Sequence, residues 1–273
     1  MQRCNISNTI AFDMSTSQYG YTLTTNFGRF PQTISVLCIG AGGGTNQTNY
    51  EVAGGGGAGD ISWSYVKLTQ NVTFTINVGP GVGNNATING GYNGYSSSIA
   101  SSIYNVTCLG GGASYGGKNA ASGGSGGGGG IQGTTSSGTA WLKGNAGTGY
   151  NVKAGGSGYQ VYAQGPTYYA TGGGGGAGGV GVSAIYAGGI PGNGGPGIAP
   201  SINGLKNTIY CGGGAGSSSN LAAGGSGIGA GNNSGTNTNA TNYGSGGARR
   251  YNNVGYASYQ GLVIFSFPNS SIT

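Results

Sequence analysis

The chain has 273 residues, of which 68 are glycine, only 4% are charged and none is histidine. Nine basic residues against three acids give a net charge of +6, with only Arg249 and Arg250 adjacent, which excludes a basic track for nucleic acid. Three carboxylates (Asp13, Glu51, Asp60) and no imidazole leave no set of groups for acid–base catalysis or a histidine triad, so no catalytic residue, cofactor or metal site is expected.

In chain order, the first twenty residues carry no apolar core of a signal peptide, and no run of 18 apolar residues exists, so no membrane insertion is expected. Residues 10–12 and the series Tyr19, Tyr21, Leu23 read as N-terminal strands. The nearly continuous apolar run 33–39 (TISVLCI) predicts a central strand covered on both faces. Next, Ile61, Trp63 and Tyr65 alternate with serine, and Val72, Phe74, Ile76 and Val78 alternate with Thr and Asn. That period predicts two strands over residues 60–78, with Trp63, Phe74, Ile76 and Val78 inside a β-sandwich. Tyr104, Val106 and Cys108 suggest a further strand, and 262–267 (LVIFSF) a closing one. No segment has a helical period.

From about 110 to 250 the pattern changes. Glycine tracts at 123–130, 172–179 and 192–197 alternate with short apolar pieces at 159–163, 180–186 and 208–211. Composition alone would suit a flexible linker, but a structureless loop of that length inside a domain is implausible. Each glycine costs about 0.5–1 kcal/mol relative to alanine in regular structure, so an ordered tract must gain something that only glycine permits. Left-handed extended helices with three residues per turn present N–H and C=O groups radially, and a crowded axis admits only glycine. Neighbouring glycine helices would then satisfy each other's backbone groups. The predicted fold is therefore all-β with essentially no α-helix. It comprises a β-sandwich (jelly-roll or TNF-like) from residues 1–109 with 255–268, and an inserted bundle of extended polyglycine-type helices from 110–254, as one compact unit.

Cys4, Cys38, Cys108 and Cys211 are widely spaced, and the last three each end an apolar stretch that runs into glycine. Buried free thiols or one or two disulfides both fit that placement. The GAGGG and GPGVG segments lack the following helix that a phosphate loop needs. Eight N-x-S/T sequons begin at Asn5, Asn46, Asn71, Asn85, Asn105, Asn232, Asn239 and Asn269, close to the number chance would supply. Nineteen tyrosines against six phenylalanines suit either the lining of glycine helices or a receptor-binding face.

The ordered series ISVLCIGAGGG, VAGGGGAGDIS, LTQNVTFTINVGPG, GYNGYSSSI, NVTCLGGG, GGGGGAGG and GLVIFSF resembles the glycine-rich domain of phage tail-fibre proteins and of large DNA viruses, over about residues 30–267. It is also similar to the glycine-rich ectodomain region of certain receptor tyrosine kinases, from which it departs in lacking a signal peptide and a membrane segment. The resemblance implies a β-sandwich carrying packed polyglycine helices. It also implies a non-enzymatic virion protein (minor capsid, vertex or fibre component) of a large DNA virus, assembled in the host cytoplasm. Its partners would be other virion proteins or further copies of itself, with a host glycan or receptor as a further contact. A tail-fibre tip adhesin and a secreted matrix or cell-wall protein are the alternatives.

Overall fold

The computed structural model describes residues 9–14, 19–45, 51–82, 92–116, 119–132, 142–143, 159–160, 169–185, 190–201, 208–216, 231–233, 236–249 and 255–267. Eight strands make two antiparallel sheets. They are β1 (Thr9–Phe12), β2 (Gly20–Thr24), β3 (Gln32–Ile39), β4 (Ile61–Leu68), β5 (Thr73–Asn77), β6 (Ser97–Ala100), β7 (Asn105–Cys108) and β8 (Leu262–Ser266). One sheet has the order β1–β8–β3–β4 and the other β2–β5–β6–β7. Eight strands in two sheets of four is the strand count of a jelly roll, while the sequence neighbours β3–β4 and β5–β6–β7 pair directly as hairpins. Among the described residues there is no helix.

The two sheets enclose one apolar core. Ile34, Val36 and Cys38 from β3, Val66 and Leu68 from β4, and Val263 and Phe265 from β8 meet Phe74, Ile76, Ile99 and Cys108 of the opposite sheet. The Phe74 and Phe265 rings lie 5.1 Å apart across the gap. Phe74, Ile76 and Val78 are buried, as the alternation from residue 72 predicts.

Trp63 is not inside; it is 37% exposed, and this corrects the sequence reading. In the register it stands opposite Leu37, whereas Ser62, Ser64 and Val66 stand opposite Cys38, Val36 and Ile34. The serines of β4 therefore face the sandwich interior, and the Ile61–Trp63–Tyr65 row faces outward. Alternation reveals that a strand has two unlike faces. It cannot say which is covered, and in this sheet both are, near the centre.

The outward cover is the glycine region. Leu37, Ile39, Leu262 and Ile264 pack beneath Ala58, Ala177, Tyr210 and Cys211. The central strand β3 is thus buried on both faces, as its unbroken apolar run implies. Glycine segments also begin earlier than the expected boundary near 110, because 40–44 and 53–60 lie among the sandwich strands and still belong to the bundle.

Candidate functional site

The feature that sets this molecule apart is the glycine bundle, and the segment 53–60 sits at its centre. Six consecutive N–H groups of that segment are paired, and the partner recurs every third residue. Gly55 and Ala58 donate to Gly172 and Gly175 (3.0 and 2.9 Å), Gly56 and Gly59 to Gly247 and Gly244 (2.8 Å each), and Gly57 and Asp60 to Gly112 and Leu109 (2.9 and 2.8 Å). The carbonyls face three other chains. Gly55 and Ala58 accept from Gly128 and Ser125, Gly56 accepts from Gly214, and Gly57 and Asp60 accept from Gly43 and Gly40.

One strand of backbone is therefore ringed by six others, with three receiving its N–H groups and three donating to its carbonyls. A three-residue period with radial bonding is that of the extended polyproline-type helix. Direction is not restricted: the contact with 172–175 runs parallel, and those with 109–112, 125–128 and 244–247 run antiparallel. The segment 172–177 repeats the scheme, with Gly172 and Gly175 bonded to Gly129 and Gly126, and Gly174 and Ala177 to Gly214 and Cys211.

Such spacing leaves no room for a side chain. An ideal Cβ on Gly174 would lie 2.0 Å from the Gly56 carbonyl oxygen, and one on Gly56 would lie 2.1 Å from that of Gly43. Backbone conformation asks for glycine far less often. Only Gly244, at φ 71°, adopts the left-handed region among the described glycines, so most of these residues are selected by space rather than by dihedral freedom.

Two of the three carboxylates make hydrogen bonds within the fold. Asp60 is buried at the end of the central segment, and its Oδ1 accepts the Ile61 N–H at 2.8 Å. Asp13 accepts the Tyr243 hydroxyl on Oδ2 at 2.8 Å and the Tyr21 hydroxyl on its backbone oxygen. Burial, and then the bond to Asp13, push the Tyr243 phenol above its usual range. Cys38, Cys108 and Cys211 are free and buried, and burial raises the Cys211 thiol. Among the described residues, no three of Cys, Asp and Glu are grouped to hold a metal ion, and no helix is long and apolar enough to cross a membrane.

Three of the sequons carry structural bonds. Asn71 accepts from the Phe27 N–H, Asn105 from the Ser101 N–H and Asn239 from the Ala257 N–H. Those at Asn5, Asn46, Asn85 and Asn269, together with Cys4, residues 161–163 and Tyr186, lie outside the described residues.

Among the described residues around the bundle, several aromatic and aliphatic side chains are exposed. Tyr92 and Tyr95, whose carbonyls accept from Gly44 and Ala41, are 48% and 57% exposed. Val180, Val182, Ile185 and Ile190 project from the segment beside 172–176 and are all exposed. Their apolarity is legible in the sequence, but their exposure is not.

A family model described as a glycine-rich domain matches residues 16–268, a span that takes in the bundle and the closing Leu262–Ser266 strand. The chain belongs to this glycine-rich domain family. Comparison with curated proteins finds no match.

Proposed function

We propose that this glycine-rich domain is a non-enzymatic structural component of a virion (a fibre, vertex or minor capsid element) of a large DNA virus. The observation that carries this reading is the ringed segment 53–60, in which backbone packs against backbone with every N–H from Gly55 to Asp60 bonded sideways. A unit of that kind holds its shape through uncharged contacts, and it is suited to an assembly that must endure outside a cell. The strands that bring the chain in and out support the same reading. Thr9 pairs with Ser266, at the end of the sheet remote from the Ile39–Leu262 junction with the bundle. Neighbouring subunits at the sandwich end would leave the glycine end to project.

The partners are other virion proteins and further copies of the chain, and the site of assembly is the host cytoplasm. Nucleic acid and membrane play no part in this reading. The test is fractionation of native particles on a density gradient, followed by mass spectrometry and cryo-electron microscopy. Co-sedimentation in fixed proportion to the major shell protein is expected, and a chain found only in soluble or wall fractions would overturn the assignment.

The exposed Val180, Val182, Ile185, Ile190, Tyr92 and Tyr95 favour a second reading, an adhesin at a fibre tip that contacts a host glycan or receptor. An excess of the isolated domain should then compete with particle attachment to cells. Undiminished attachment would rule out that role and leave the structural one.

A further inference from the structure

Three cysteines that share a place in the sequence pattern also share a place in the molecule, the corner where sandwich meets bundle. Cys38 is the last residue but one of β3 and Cys108 ends β7, and both side chains enter the space between the sheets, fully buried. Cys211 lies on the other face of β3, with Leu37 and Ile39.

Facing sheets normally stand about 10 Å apart, whereas a disulfide needs Cα atoms roughly 4.4–6.8 Å apart. At this corner the sheets converge. Cys108 Sγ donates to the Cys38 carbonyl at 3.2 Å. An ideal Cβ on Gly40, two residues past Cys38, would lie 2.8 Å from the Cys108 carbonyl oxygen. Cys38 Sγ donates in turn to the Ser97 carbonyl at 3.6 Å, and Ser97 is the register partner of Cys108. The two thiols therefore face one another across the sandwich, in a site from which solvent is excluded.

We propose that Cys38 and Cys108 are joined by a disulfide across the sandwich when the chain folds or opens in an oxidising environment, with Cys211 left as a free thiol. The oxidant is a low-molecular-weight disulfide such as oxidised glutathione. One cysteine thiolate attacks it, forming a mixed disulfide and releasing one small thiol. The second cysteine attacks the protein-bound sulfur and releases the other small thiol. Two electrons and two protons pass from the cysteines to the oxidant. The hydrogen bond to Cys38 and burial push the Cys108 thiol well above its ordinary range, so the closed fold is inert and exchange takes place during folding or transient opening. The bond would tie β3 to β7 and constrain everything between them in the unfolded chain.

The test is refolding of the full chain in a glutathione redox buffer, alkylation under denaturing conditions and tryptic mapping without reductant. Trypsin places Cys4, Cys38, Cys108 and Cys211 in separate peptides, 4–29, 30–67, 68–118 and 207–249. The expected result is peptide 30–67 linked to 68–118, with 207–249 alkylated and a thermal midpoint several degrees above that of the reduced protein. C38A and C108A should each abolish both the link and the rise. The oxidised and reduced wild-type proteins make the comparison even where a variant fails to fold. Full alkylation of both peptides after oxidative refolding, linkage through Cys211, or a lowered midpoint would each overturn the proposal.

Discussion

At Gly174 the space for a side chain is already filled by the Gly56 carbonyl, 2.0 Å from where a Cβ would stand. Backbone cannot swing aside as the end of a flexible side chain can. Gly174→Val should therefore cost at least about 4 kcal/mol, in the range reserved for sites that cannot relax. Gly28 is the control, since an added Cβ there meets nothing within 4 Å. Gly28→Ala should stay within about 0.5 kcal/mol of the parent by denaturant titration, and equal losses at both positions would refute the packed-backbone account. Tyr243 gives a second test at this scale. Its folded-state pKa lies above the unfolded value of about 10, and burial shifts Tyr104, Tyr115 and Tyr210 the same way. The stability gained from keeping these phenols protonated is fully present below about pH 10 and is lost as the pH rises through their folded values. A fraction of the tyrosines should thus ionise only together with unfolding. Complete ionisation with circular dichroism intact would contradict this.

For the elements, the contrast is between strands β4 and β5, which the sequence presents as equals. Phe74 fills the core against Phe265, and Phe74→Ala should cost about 3–5 kcal/mol. Trp63 stands on the open face of an edge strand, and Trp63→Ala should cost only about 1 kcal/mol. The serines beside Trp63 gave no sign that they face inward, because the partner of Ser64 is distant in sequence: Tyr104, the residue before β7. The central glycine segment makes its own prediction. Its amides from Gly55 to Asp60 are bonded and buried like those of a strand, although it belongs to neither sheet. Hydrogen exchange should protect them about as well as those of β3, and rapid exchange of this stretch would show that the bundle opens by itself.

Across the whole molecule, charge contributes little. With 4% charged residues, the thermal midpoint should move by no more than about 2 °C between low and high sodium chloride, and a larger shift would reveal ionic support unaccounted for by the contacts described. The amino-acid sequence by itself determined the all-β class, the apolar runs at β3 and β8, the alternation of β5 and the need for lateral glycine packing, because each is a local pattern with a fixed period or a local steric demand. It also set the scarcity of titratable groups. Tertiary structure alone decided that Trp63 turns outward, that 53–60 rather than a tract beyond 110 lies at the bundle's centre, and that Cys38 and Cys108 meet while Cys211 is kept behind β3. The reason is physical: glycine carries no side chain to mark its neighbour, so every glycine run reads alike. Which run is ringed by six others is settled only when segments distant in sequence, such as Gly43, Gly56 and Gly247, pair their backbones in space.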